Sequence, residues 1–192
     1  MRYVDEYRAP EQVMQLIEHL KTRAALLDYS AAKPLRIMEV CGGHTHAIFK
    51  FGLDQLLPEN IEFIHGPGCP VCVLPMGRID SCIEIASQPD VIFCTFGDAM
   101  RVPGKNGSLL QAKARGADIR IVYSPMDALT LAADNPTRKI VFFGLGFETT
   151  MPATAITLQQ ARARNIKNFF FFCQHITLIP TLRSLLEEPG NG

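Results

Sequence analysis

Cys69 and Cys72 lie three residues apart in the run Gly66-Pro67-Gly68-Cys69-Pro70-Val71-Cys72. Proline fixes φ and glycine reaches conformations that other residues avoid, so this loop is shaped to present sulfur rather than bury it. A close thiol pair of this kind either chelates a metal ion or cycles with a disulfide. The plainer reading, a buried turn pair without chemistry, is disfavoured by the flanking glycines and prolines. A third thiol opens Cys41-Gly42-Gly43-His44-Thr45-His46. Alone, Cys41 would read as a packed small hydrophobe. Beside two glycines that permit close backbone approach, it reads as functional. Thiolate is the form that binds soft metal ions and attacks disulfides, so three presented thiols imply metal or redox chemistry. His44 and His46 are two apart, which excludes a four-apart helical zinc pair. One of the two is the candidate to orient Cys41 or lower its pKa, and the other reads as a helix-start or packing residue.

Further polar residues fall in short motifs. Asp98 and Arg101, within Phe96–Gly104, either form a surface ion pair or brace the thiol loops and bind a small anion. Glu148 with Thr149 and Thr150 reads first as a helix start, where hydroxyls cap and an acid favours the dipole; a functional Glu148 is the second reading. Gly144-Leu145-Gly146 resembles part of a dinucleotide fingerprint, but the third glycine is missing and Thr150 stands near its place. Gly104-Lys105-Asn106 breaks the phosphate-loop pattern. His65 closes a strand and reads as the cap of a hydrogen-bond network. Cys82 falls in a helical pattern and Cys94 in a strand, so both read as core, while Cys173 and His175 stay open.

These residues need elements to position them. Apolar runs rich in Ile, Val and Phe recur at Leu35–Val40, Ile61–His65, Val91–Thr95, Ile119–Tyr123, Ile140–Gly144 and Phe169–Cys173. Each is strand-sized and nearly continuous, as buried parallel strands are. Helical patterns separate them, after an amphipathic helix over Pro10–Leu27. The expected fold is α/β: an open, Rossmann-like parallel sheet with crossover helices. The polar cluster Asp134-Asn135-Pro136-Thr137 suggests a boundary, giving an α/β domain over residues 1–136 and the beginning of a second over 137–192. That second unit is expected to stop mid-domain, at Glu188-Pro189-Gly190-Asn191-Gly192; a single six-stranded sheet is the alternative. On one parallel sheet, the thiol loops, Asp98, Glu148 and His175 would all share the carboxyl rim, where open α/β folds bind ligands.

Composition narrows the function classes. Lys+Arg and Asp+Glu balance at 19 each, which leaves no electrostatic footprint for nucleic acid or an anionic membrane. No apolar run approaches the about 20 residues that span a bilayer, and Met1-Arg2-Tyr3-Val4-Asp5-Glu6 lacks a signal-peptide pattern. A cytoplasmic protein is expected, in whose reducing setting the six cysteines are not a disulfide framework.

Four ordered motifs, Cys41-Gly-Gly-His-Thr-His46, Gly66-Pro-Gly-Cys-Pro-Val-Cys72, Thr95-Phe-Gly-Asp-Ala-Met-Arg-Val-Pro-Gly104 and Gly146-Phe-Glu-Thr-Thr150, resemble the HypD family of nickel-iron hydrogenase maturation factors. The resemblance spans essentially the whole chain and is strongest to enterobacterial members. It implies a scaffold, rather than an enzyme, for assembling the Fe(CN)2CO moiety of the hydrogenase. A HypC-type chaperone would share the iron through its own cysteine, and a HypE-type protein would hand over cyanide. Carried over to this chain, Cys41 is the iron ligand. Cys69 and Cys72 are the redox pair and are counted with Cys41 among the metal-site residues, and His44, Asp98, Arg101 and Glu148 are supporting residues. Family members continue for about as long again, and the resemblance places the cysteines of a four-iron, four-sulfur cluster in that further region. Two rival functions use the same thiols. A thiol-disulfide oxidoreductase would act through Cys69 and Cys72, although Val73-Leu74-Pro75 is expected to delay the helix that would stabilise the attacking thiolate. A structural zinc module would use Cys41, Cys69, Cys72 and a histidine.

Overall fold

The β-branched and aromatic runs form strands and the amphipathic segments between them form helices. Their order is α1 (Pro10–Ala24), β1 (Leu35–Glu39), α2 (Gly42–Lys50), α3 (Leu53–Leu56), β2 (Ile61–His65), α4 (Pro70–Val73), α5 (Met76–Ala86) and β3 (Val91–Thr95). A 3-10 turn at Asp98–Arg101 leads to α6 (Leu109–Ala114), β4 (Ile119–Ile121), α7 (Pro125–Asp134) and β5 (Lys139–Gly146). A second such turn, Glu148–Thr150, precedes α8 (Met151–Ala163), β6 (Phe169–His175) and α9 (Ile179–Glu187). The computed structural model describes residues 9–66 and 68–187. Met1–Glu6, Pro67 of the thiol loop and Glu188–Gly192 lie outside the described residues. Among those described, no helix is long and apolar enough to cross a membrane.

Every strand pairs parallel, as expected for an α/β chain with crossover helices, but the strands divide between two sheets. β1 pairs with β2 from Leu35↔Ile61 to Glu39↔His65. The other sheet has the order β4-β3-β5-β6. Two compact units follow, the first running through Cys69 and the second starting at Pro70. The boundary expected after Pro136 is therefore displaced, and the single six-stranded sheet does not form. The Asp134–Thr137 cluster is a short connection inside the second unit. The strand after it, β5, pairs with β3 from Val91↔Lys139 to Cys94↔Phe142, and is buried at every position but Lys139. A strand buried that completely belongs in the middle of a sheet rather than at the start of a new one.

In the first unit, α1 buries Ile17 and Ala24, and the Asn60 side chain donates to the Ala24 carbonyl at 2.8 Å. In the second, the two-residue period of the strands splits the core into two clusters. Phe93 and Phe143 meet Ile79, Cys82 and Ile83 of α5 and Leu109 and Ala112 of α6. Ile92, Cys94, Ile140 and Phe142 meet Ala128 and Ala132 of α7. Ser108 and Ser124 begin α6 and α7 with reciprocal capping boxes to Gln111 and Asp127. The strand order reverses between β3 and β5, so the loops leaving these two strands flank a topological switch point.

Candidate functional site

In the first unit, β1 and β2 end side by side at Glu39 and His65, and the loops beyond them carry Cys41 and Cys69. Gly66 N–H donates to the Glu39 carbonyl at 2.8 Å, and Gly42 N–H donates to the Gly68 carbonyl at 3.0 Å. A Cβ on Gly68 would stand 2.6 Å from the Cys41 nitrogen and from the Val40 carbonyl carbon, so only glycine permits this approach. A Cβ on Gly42 would lie 3.6 Å from the Cys69 Cβ. The loops of the first two motifs are thus packed against one another, with Cys41 and Cys69 both half-buried. Cys41 takes the N-cap position of α2 in extended conformation.

Glu39 organises this end of the sheet. It is 9% exposed, and its carboxylate accepts from the Cys41 N–H and the Thr45 hydroxyl. His44 Nδ1 lies 3.6 Å from one carboxylate oxygen and His65 Nδ1 3.8 Å from the other. Burial alone would raise the Glu39 pKa. The bonds from Thr45 and Cys41, with the two imidazoles nearby, outweigh burial and hold the carboxyl below its ordinary range. One ligand atom each from Glu39, Cys41 and His44 lie within 4.8 Å of one another. Ligands on one tetrahedral ion stand about 3.4–3.8 Å apart, so a small contraction would bring this oxygen, sulfur and nitrogen onto a single metal. His44 is 77% exposed, which leaves its ring free to swing inward. His46 is also exposed, while the His65 ring lies tilted against Phe49 with ring centroids 4.9 Å apart.

In the second unit, β3 ends at Thr95, whose fully buried hydroxyl has no hydrogen-bond partner among the described residues. Asp98 and Arg101 follow on the 3-10 turn, both exposed. No ion pair joins them among the described residues; Asp98 instead accepts from the Ala99 N–H at 2.8 Å. The loop beyond is held by Asp80 of α5, which accepts from the Lys105 and Asn106 N–H groups at 3.1 and 2.9 Å. Glu148 does not serve the helix that follows it. Its carboxylate accepts from the Leu178 N–H at 2.8 Å and the Ile179 N–H at 3.3 Å, so it caps the start of α9. Those backbone bonds, the one from Leu178 foremost, hold its pKa below the ordinary value. The Gly144-Leu145-Gly146 stretch lies within β5 rather than in a strand-to-helix turn, which removes the dinucleotide reading.

The strand ends expected to share one rim therefore belong to two sheets. Cys41, His44 and Cys69 sit at the first, and Asp98, Arg101, Glu148 and His175 at the second. Cys72 is exposed on α4, which opens the second unit. That helix corrects an expectation, because it begins at Pro70, directly after Cys69, rather than beyond Pro75. Cys82 and Cys94 are fully buried, and burial pushes both thiols up to about 12, which makes them inert. Glu39, Thr45 and Asp80 were not singled out by the sequence. The available signal for Glu39 was an acid ending an apolar strand two residues before a presented thiol.

A Rossmann-like α/β chain that presents thiols on interlocked glycine loops, beside carboxylate and imidazole donors, is the class these features define. The family profile for HypD, described as hydrogenase formation hypA family, matches residues 11–191. The chain belongs to that family. The hydrogenase maturation factor HypD of Escherichia coli K12 is 85% identical over 192 residues, covering 100% of this chain and 52% of the relative. That of Rhodobacter capsulatus is 59% identical over 189 residues, covering 98% of this chain and 50% of the relative. That of Cupriavidus necator is 47% identical over 190 residues, covering 98% and 49%. The chain spans about half the length of the curated relatives it matches.

Proposed function

We propose that this chain acts in nickel-iron hydrogenase maturation, holding iron as cargo while cyanide and carbon monoxide are attached, with Cys41 as the protein thiolate on the metal. The observation that carries this reading is the Glu39, Cys41 and His44 donor set, gathered within 4.8 Å beside the Cys69 loop. Iron bearing cyanide and carbon monoxide suits a soft thiolate ligand. Glu39 fixes the backbone of Cys41, and His44 lies on the same side to complete or orient the ligand set. Cys69 and Cys72 supply electrons: two thiols become one disulfide, releasing two electrons and two protons. Asp98, Arg101 and Glu148 support the second unit's loops. A HypC-type chaperone contributes the partner thiolate, a HypE-type protein donates cyanide, and the work is cytoplasmic. The four-iron, four-sulfur cluster belongs to the further length of the relatives.

The test is Cys41→Ala in the full-length protein, isolated anaerobically with its chaperone. The infrared bands of iron-bound cyanide and carbon monoxide should disappear, and their persistence would overturn the assignment. One observation favours a second reading. Because α4 starts at Pro70, Cys69 stands immediately before a helical turn, as the attacking thiol of an oxidoreductase does. A single turn carries little dipole, so the scaffold reading is preferred. Turnover in an insulin-reduction assay would reverse that preference, and stoichiometric zinc after aerobic purification would favour a structural zinc module instead.

A further inference from the structure

At the carboxyl end of the second unit's sheet, three side chains form a relay that the reading above does not use. Cys173 Sγ lies 3.7 Å from His175 Nδ1, and His175 Nε2 lies 3.1 Å from Thr150 Oγ1. Thr150 in turn donates its hydroxyl hydrogen to the Phe147 carbonyl at 3.0 Å. A hydroxyl has one hydrogen, so towards His175 this oxygen accepts. The imidazole hydrogen must then sit on Nε2, which leaves the bare lone pair of Nδ1 facing the Cys173 thiol. Burial lowers the His175 pKa and so favours this neutral, accepting form.

The neighbouring strand is shaped to hold the relay. Gly144 pairs with Cys173 and Gly146 with His175. A Cβ on Gly144 would collide with the Phe171 ring and stand 3.2 Å from His175 Cε1, and one on Gly146 would collide with Thr150 Oγ1. Of the two glycines that resembled part of a nucleotide motif, Gly144 makes room for the Phe171 ring with the imidazole beside it, and Gly146 makes room for the orienting hydroxyl. Cys173 itself is exposed, on the strand at the sheet's edge.

We infer that Cys173 is a nucleophilic thiol, with His175 as its base and Thr150 holding the base in register, and that it forms mixed disulfides with small disulfides. The arrangement of nucleophile, base and orienting group is the one that activates a weak nucleophile. Disulfide exchange suits it because that reaction needs an open approach and a proton acceptor, and develops no oxyanion requiring donors. The step balances. As Cys173 sulfur bonds to one sulfur of the disulfide, the old sulfur-sulfur bond breaks. The thiol proton passes to His175 Nδ1, and then to the departing thiolate.

The experiment treats the full chain with an aromatic disulfide that releases a coloured thiolate, with the modified cysteine located by peptide mass spectrometry. Each rate is divided by that of the same variant in denaturant, where only intrinsic reactivity remains. Cys173 should react about tenfold or more faster in the folded chain, because His175 Nδ1 takes the thiol proton as the sulfur attacks. His175→Gln should abolish the acceleration. Thr150→Val should lose most of it and Thr150→Ser should restore it, which a purely structural role for the hydroxyl in α8's entry would not require. Equal rates in the folded and denatured wild type would overturn the inference, as would an unchanged ratio in H175Q. If H175Q fails to fold, the wild-type ratio and the Thr150 pair still decide.

Discussion

Adding one methyl group at Gly68 tests the interlocked loops without touching a ligand atom. In Gly68→Ala the new carbon would lie 2.6 Å from two backbone atoms of Val40 and Cys41 and 3.0 Å from the Val40 oxygen. None of these is the end of a flexible side chain, so the loops must part by several tenths of an ångström. Overpacking of this kind costs about 1–3 kcal/mol. The parting also stretches the 3.0 Å bond from Gly42 N–H to the Gly68 carbonyl, and losing it costs about 1 kcal/mol more. Gly77→Ala is the control, since nothing lies within 4 Å of its added carbon and it sits in the first turn of α5. Reducing the freedom of the unfolded chain there should stabilise by about 0.5–1 kcal/mol. The same chemical change should therefore have opposite signs at the two glycines. Urea unfolding followed by circular dichroism measures both, and amide exchange across residues 35–50 shows whether loss in G68A is confined to the first unit. Equal stability of G68A and G77A would refute the close approach on which the Cys41 and Cys69 arrangement rests.

Two further outcomes follow from single groups. Thr95→Val removes a buried hydroxyl that lacks a partner among the described residues and keeps the side chain's shape, so stability should rise by about 1 kcal/mol. A loss of that size in the urea midpoint would mean the hydroxyl is satisfied. Asp118 accepts from Arg120 at 3.0 and 3.1 Å and from Arg138 at 2.6 Å, and these bonds, led by that of Arg120, hold its pKa below the ordinary 3.8. A depressed folded-state pKa contributes stability above the unfolded value and loses it as pH falls through the folded one. Asp118→Asn should accordingly be less stable by about 1 kcal/mol at neutral pH, with the gap closing only below pH 3.8. A gap that persists undiminished through acid unfolding would assign the effect to packing.

Local pattern revealed the strands because their apolar runs are continuous: Val91–Thr95 is buried at every residue and reads so in the sequence. Sheet membership was not legible, since pairing β5 with β3 joins segments across α6, β4 and α7, and no turn signal records it. The α4 turn was hidden between Pro70 and Pro75, which together look like a loop, although proline is well tolerated at the first position of a helix. That Cys41, Cys69 and Cys72 escape full burial was legible from spacing and flanking glycines. Glu39 was not, because a strand pattern absorbs an acid at its end, and its value appears only once Thr45, one turn into α2, donates to it. Glu148 misled for a related reason. Its local context does fit a helix start, but the N–H groups it accepts belong to Leu178 and Ile179, thirty residues on.

These placements divide the polar residues by task. Glu39, Asp80 and Glu148 each accept backbone N–H groups at a loop carrying a family motif or facing one, and Asp118 gathers two arginines at the opposite end of the strands. They are clamps. The thiols divide as well, Cys82 and Cys94 being held protonated by burial while Cys41, Cys69, Cys72 and Cys173 remain accessible. Asp80 and Glu148 position loops without contributing an electron pair, whereas Glu39 both holds the Cys41 backbone and offers an oxygen to the same donor set. Replacing a clamp should therefore displace a loop and weaken metal loading or thiol reactivity in degree, whereas replacing an accessible thiol should remove one chemical step outright. Graded loss of metal loading in Thr45→Val, which removes one bond to the Glu39 carboxylate, beside complete loss in Cys41→Ala is the pattern this division requires, and equal loss in both would mean that the Thr45 and Glu39 pair is itself part of the chemistry.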